Sequence, residues 1–232
     1  MTLLLDGLVE ALRLLLTGDR EVWTVLVFSV LVSGTATLLA LGVGVPVGAT
    51  LALARFPGRS LAVTAVNAGM GLPPVVVGLV VSIVLWRSGP LGGLEALYTP
   101  AALVIAQALI AAPIVTGITL AAVQSVPAAF RLQLVALGAS RAQMIAVVIR
   151  EARLPMLAAV MAGFGAVISE VGASLMVGGN IKGQTRTLTT AMVLETGRGN
   201  FEAALALAAL LLLVVFGVNW ALTALQQARA SK

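Results

Sequence analysis

Apolar positions along this chain fall in unbroken runs of about twenty residues or more, not in alternation and not on one face of a 3.6-residue period. Runs of that length match the span of a bilayer, whose hydrocarbon core of roughly 30 Å is crossed by a helix rising ~1.5 Å per residue. The pattern predicts five membrane-spanning helices, over residues 22–54, 61–86, 100–123, 154–177 and 201–225. The first is long enough to tilt, to kink at Pro46 or to extend beyond the bilayer. Pro73-Pro74 lies near the middle of the second, and Pro113 lies inside the third. Ahead of them, residues 1–20 read as an amphipathic outer segment. Asp6, Glu10, Arg13 and Thr17 recur there at helical spacing among leucines, a pattern suited to the membrane interface. No basic stretch precedes those leucines, so the segment does not read as a cleaved signal peptide.

Composition sharpens this picture. Of 232 residues, 60% are hydrophobic and 10% charged, where a soluble domain carries roughly a quarter charged residues. The chain has no cysteine and no histidine, which excludes disulfides, thiolate metal sites and the commonest general base. The net charge of +5 does not indicate nucleic acid, because the basic residues are dispersed between apolar runs. With five spans, one side receives Arg55, Arg59, Arg131, Arg141, Arg150, Arg153, Arg229 and Lys232. The other receives Arg13, Arg20, Arg87, Lys182, Arg186 and Arg198. The positive-inside rule then places the N-terminus outside and the C-terminus in the cytoplasm.

Residues 127–153 carry more pattern than a connector needs. Phe130, Leu134 and Leu137 recur at i, i+4 and i+7, which predicts a short amphipathic helix that Gly138 ends. Ser140-Arg141-Ala142-Gln143 has the form of a capping box, and Ile145, Val148 and Ile149 supply the apolar face of a second helix. Two short basic helices joined by Leu137-Gly138-Ala139-Ser140 suit either a protrusion that docks in a partner's groove or an interfacial cap on the bundle.

The fourth predicted span holds the one membrane-embedded acid, Glu170, within Ile168-Ser169-Glu170-Val171-Gly172-Ala173. At fifteen residues past Pro155, about 22 Å along a helix, it lies in the outer part of the bilayer. An ionisable group there must face protein or water. It therefore marks either a gate or subunit interface, with Ser169 and Gly172, or a structural hydrogen bond. Ala158, Ala162, Ala166, Ser169 and Ala173 form a line of small residues that permits close packing. The glycine-rich string after this helix combines Gly178, Gly179, Asn180, Lys182, Thr185, Arg186 and Thr187. Backbone amides at glycines, two cations and hydroxyl donors suit contact with a tetrahedral oxyanion. A solvated outer loop, or one that docks a binding protein, fits the composition equally.

These strings resemble a known family. Leu137-Gly138-Ala139-Ser140, followed by an amphipathic helix and Leu154-Pro155, is similar to the cytoplasmic loop of ABC importer permeases. It departs from that pattern in carrying Leu132-Gln133-Leu134 where Glu-Ala-Ala is usual and in a spacing to Leu154-Pro155 about one turn longer. Val22-Trp23 through Phe56-Pro57-Gly58-Arg59, and Leu72-Pro73-Pro74-Val75-Val76-Val77-Gly78, resemble the first helices of molybdate and sulfate permeases. Gly183-Gln184-Thr185-Arg186-Thr187-Leu188-Thr189-Thr190-Ala191, then Leu194-Glu195-Thr196, looks closest to the tungstate-type permeases.

The resemblance implies an all-α integral membrane protein with the five-transmembrane-helix core of a type I ABC importer permease, in the cytoplasmic (inner) membrane of a prokaryote. It implies ATP-driven import of tungstate or a related oxyanion, a second copy of the chain, two ATP-binding subunits and an extracytoplasmic oxyanion-binding protein. Leu137, Gly138, Ala139, Ser140, Arg141 and Gln143 would couple to the ATPase. No catalytic residue, metal site or cofactor is expected in this chain, since ATP and Mg would be bound by the partner ATPase and no G-x-x-x-x-G-K-[ST] string occurs here. Two other classes fit the sequence less well. An intramembrane hydrolase could use Ser29, Ser33, Ser82 or Ser169, but it lacks a base, because Lys182 and Lys232 lie outside the spans. A stand-alone secondary transporter lacks the internal repeats and buried charges expected of it.

Overall fold

The computed structural model describes residues 19–230 and, ahead of them, Val9 and Arg13. The amphipathic segment expected over residues 1–20 thus lies almost wholly outside the described residues.

Helix α1 (Arg20–Leu53) begins where the Asp19 carboxylate accepts hydrogen bonds from Glu21 N (2.9 Å) and Val22 N (3.0 Å). These satisfy two amides that the helix leaves free. Its 34 residues reach about 51 Å at ~1.5 Å each, so it overhangs the hydrocarbon core. Pro46 sits inside the helix without dividing it.

The span expected over residues 61–86 is instead two helices, α2 (Arg59–Met70) and α3 (Pro74–Leu85), bent by 100°. The cause is Pro73-Pro74. Proline lacks an N–H and disfavours helical geometry in the residue before it, so Leu72 and Pro73 cannot continue α2, while Pro74 suits the first position of α3. Helix α4 (Pro100–Gln124) accommodates Pro113 and runs unbroken. The short helices α5 (Ala128–Ala136) and α6 (Arg141–Glu151) form a hairpin.

The fourth expected span, over residues 154–177, is also broken. Helices α7 (Arg153–Ile168) and α8 (Gly172–Gly178) meet at 61° across residues 169–171. Helix α9 (Leu188–Gly197) occupies a stretch to which the hydrophobic pattern assigns no element, and α10 (Phe201–Ala230) is the last described element. Among the described residues there are no strands. Among the described residues three helices (α1, α4 and α10) are long and apolar enough to cross a membrane, or up to five crossings if each bent pair counts as one.

Lipid tails are as apolar as leucine, so helices in a bilayer associate through close packing and hydrogen bonds. The α1–α4 pair shows this. A Cβ on Gly44 would meet Val115 Cγ1 at 2.8 Å, and one on Gly48 would meet the carbonyl oxygen of Thr116 at 2.5 Å. The main core joins Val32, Ala40, Leu103, Val115, Ala159 and Val167 from α1, α4 and α7. The tight face of α7 is therefore Ala159 and Gly163. Of the small-residue line read from the sequence, Ala173 is buried in close contact with α3, whereas Ala158 and Ser169 are exposed and Ala162 and Ala166 half-buried. Leu212, Phe216 and Trp220 of α10 are exposed and suit contact with lipid.

Candidate translocation and coupling elements

The hairpin at one end of α1 is rigidly built. Gly138 takes a φ of 82°. That left-handed conformation costs a residue with a Cβ about 1–2 kcal/mol. The Gly138 and Ala139 amides donate to Val135 O and Leu134 O, which closes α5. Ser140 Oγ accepts from Gln143 N (3.3 Å), and Gln143 Oε1 accepts from Ser140 N (2.8 Å). This reciprocal cap starts α6. Phe130, Leu134, Met144 and Ile149 pack on Val123, Val126, Val148 and Ala152, anchoring the hairpin to the ends of α1 and α4. Leu137 does not join this face. It is 84% exposed at the tip, beside exposed Leu132 and Val135. Arg141 and Gln143 are exposed, and Ala139 is half-buried.

The two helix breaks lie within the bundle, and the half-helices that follow them form one unit. A Cβ on Gly78 of α3 would lie 2.6 Å from Ala173 Cα, and one on Gly172 would lie 2.6 Å from Val75 Cγ2, so α3 and α8 cross in backbone contact. At the break, Glu170 is half-buried and Ser169 exposed. Glu170 Oε1 accepts from Ala173 N (2.9 Å), and its carbonyl accepts from Thr189 Oγ1 (2.8 Å). The carboxylate thus caps α8 and its backbone anchors α9. Ser169 Oγ turns back to Gly165 O (2.7 Å).

The glycine-rich string does not present the hydroxyl donors expected of it. Thr185 and Thr187 are buried, as are Thr189 and Thr190. Thr185 Oγ1 donates to Gly178 O and accepts from Ile181 N. Thr187 and Thr190 cap α9 reciprocally. The amides of Gln184, Thr185 and Arg186 all donate to Ile181 O, so the backbone closes on itself as a plug. Gly179 (φ 69°) and Asn180 (φ 52°) make the turn, Gly178 is buried at the end of α8, and the side-chain carbonyl oxygen of Asn180 is buried without a partner. Both cations meet Glu21 of α1. Lys182 Nζ lies 2.6 Å from Glu21 Oε2, and Arg186 Nη1 lies 3.5 Å from Oε1.

In the core, Ser33 Oγ donates to Gln107 Oε1 (3.0 Å) and Gln107 Nε2 donates to Ser174 Oγ (3.4 Å). All three side chains are buried. This ladder ties the half-helix α8 to α1 and α4. They come from three separate apolar runs, and only the tertiary fold shows that they meet. The candidate nucleophilic serines have other uses: Ser29 Oγ donates to Val25 O and accepts from Leu188 N. Among the described residues, none of Ser29, Ser33, Ser82 or Ser169 bonds to a lysine or carboxylate.

Among the described residues the chain is thus an all-helical bundle with three helices of membrane-crossing length, a capped helical hairpin and two discontinuous helix pairs. Residues 44–231 match the binding-protein-dependent transport system inner membrane component family, and the chain belongs to that family. It is 44% identical, over 82% of its length and 84% of the relative's, to a probable anion ABC transporter permease protein of Haloferax volcanii. It is 38% identical, over 98% of its length and 100% of the relative's, to the tungstate uptake system permease protein TupB of Peptoclostridium acidaminophilum. Its fold matches a chain of the MetNI methionine ABC transporter, solved in inward facing conformations, with a TM-score of 0.70 at 20% identity, covering 93% of this chain and 97% of that one. The protein is thus an inner-membrane permease component of an ABC importer rather than an enzyme, and such a permease works with ATP-hydrolysing and substrate-binding partners.

Proposed function

We propose that the chain is the translocating subunit of an ATP-driven tungstate importer. The observation that carries this reading is the end-to-end similarity to a tungstate uptake permease. The similarity to a probable anion permease supports the broader oxyanion class. Each bent helix pair counts as one crossing, giving five, with the N-terminus outside and the C-terminus cytoplasmic. Two copies enclose the path, two ATPase subunits sit beneath them and bind ATP and Mg, and an extracytoplasmic binding protein delivers the anion.

In this arrangement the segment from Leu137 to Gln143 seats in the ATPase. The exposed Leu132, Val135 and Leu137 give this segment an apolar surface that a partner's groove would cover. ATP binding moves the hairpin as a rigid body, and the motion reaches α7 directly through the Arg153 end and α8 through the break at Ser169, Glu170 and Gly172. The breaks act as the gate, with α3 and α8 moving together. The plug over residues 178–187, with Lys182 and Arg186, receives the binding protein or the departing anion. Its threonines hold its shape.

The complex reconstituted in nanodiscs tests this reading. Tungstate-loaded binding protein should stimulate ATP hydrolysis several-fold, and Leu137→Asp should abolish that stimulation while leaving insertion intact. Stimulation equal to wild type in Leu137→Asp would sink the coupling role. Stimulation by molybdate or sulfate but not tungstate would reassign the cargo.

A further inference from the structure

Helix α1 ends at Leu53, and the turn Arg55-Phe56-Pro57-Gly58 leads into α2 at Arg59. Between this turn and the hairpin lies a cavity of about 380 Å³, lined by Leu53, Arg55, Arg59, Arg131 and Met144 among others. That falls at the small end of ligand pockets, roughly 300–1,000 Å³. Three of its lining side chains are arginines and none is a carboxylate. Among the described residues no Asp or Glu forms an ion pair with any of the three.

Part of this arrangement is structural. Arg59 Nε donates to Leu51 O (2.7 Å), and Arg131 Nη2 donates to Val126 O (3.0 Å) and Val123 O (3.3 Å). Both arginines therefore cap the carboxyl ends of helices. A guanidinium offers five N–H donors in a rigid fork. Arg59 spends one on these caps and Arg131 spends those of a single nitrogen, while its Nε is buried without any partner. Arg55 makes no hydrogen bond or ion pair among the described residues. The caps therefore fix two of the forks and leave most of their donors around a cavity of one charge sign.

We propose that this cavity is a binding site for a tetrahedral oxyanion of the phosphate class. The pairing is chemical: planar guanidinium forks match phosphate oxygens, and an anion relieves the repulsion of three clustered cations. The ligand is either the headgroup phosphate of an anionic lipid or a free oxyanion, because the site lies at the end of α1 where the apolar run stops and the basic turn begins. Its occupant would bridge Arg55 and Arg59 of the α1–α2 turn to Arg131 of the hairpin, and so stiffen the hairpin against the bundle. The site stands on its own geometry; only its assignment to the cytoplasmic leaflet rests on the transport reading.

The test uses the full chain, delipidated in detergent, with thermal unfolding followed during titration with sodium phosphate, phosphatidylglycerol and phosphatidylcholine. The midpoint should rise with an anionic ligand, and Arg55→Gln should weaken the apparent affinity by about tenfold. Arg59→Lys, which keeps the charge, should retain more of the effect than Arg59→Gln. A response to phosphatidylglycerol alone assigns the headgroup as ligand, and a response to phosphate and phosphatidylglycerol alike assigns the free anion. No response to either, or an undiminished response in Arg55→Gln and Arg59→Gln, overturns the proposal. Uptake by the wild-type complex is measured separately, so failure of the site and failure of the transport reading remain distinguishable.

Discussion

At the scale of single residues, the acid at the helix break is the sharpest case. A carboxylate between two apolar helices needs a partner, and Glu170 finds one in the amide of Ala173, capping the short helix after the break. The contact is a hydrogen bond accepted by a side-chain oxygen, which a neutral amide can also supply. Glu170→Gln should support near wild-type transport, while Glu170→Ala should lower stability by about 0.5–2 kcal/mol, the cost of losing a cap. Thermal melts in detergent alongside uptake would check this; equal loss in both variants would return the role to charge. Thr185 carries a stricter demand, because its buried hydroxyl both donates to Gly178 O and accepts from Ile181 N. Thr185→Val strands both groups and should cost about 1–3 kcal/mol, whereas Thr185→Ser should recover most of it. The sequence shows threonines beside cations and glycines, which reads equally as an anion cradle. Only the tertiary fold reveals that their hydroxyls face inward and that Glu21, remote in sequence, meets both Lys182 and Arg186.

At the scale of elements, two glycines decide how the discontinuous helices meet. A methyl group on Gly78 would fall 2.6 Å from Ala173 Cα, and backbone cannot yield as a side-chain tip can. Gly78→Ala should therefore separate α3 from α8 and reduce transport more than Gly42→Ala in α1, where a Cβ meets nothing within 4 Å. Uptake per inserted molecule would compare them, and equal activity would deny the two half-helices a common motion. At the hairpin, Ser140→Ala removes one half of the reciprocal cap and should cost about 1 kcal/mol. The capping box, the Gly138 break and the apolar face of α6 were all legible in the sequence, because they depend on neighbours within four residues. The doubled proline was legible as well, but its consequence was not: a run of apolar residues has the same hydropathy whether straight or bent by 100°. The second break has no proline, and the 61° turn at residues 169–171 depends on packing against α3 and α9. Helix α9 was hidden because it is short and mixes buried threonines with the Leu188, Ala191 and Met192 that pack on α1 and α10, without a strong amphipathic period.

At the scale of the whole molecule, α1 links the two working ends. Its first turn holds the plug through Glu21, and its last turns seat the hairpin through Ala49, Ala52 and Leu53. About 36 Å of helix separates Val25 from Ala49, and the Gly44 and Gly48 contacts lock that length to α4. The buried Ser33–Gln107–Ser174 ladder joins the same pair of helices to α8. The hairpin is thereby joined through α1 and α4 to both discontinuous helix pairs. The most direct test of this account is tungstate uptake into vesicles that contain the chain with its ATPase and binding protein. The account predicts uptake that requires ATP and all three components and that excess tungstate blocks more strongly than molybdate or sulfate. Uptake that persists without the ATPase, or that follows an ion gradient, would contradict it.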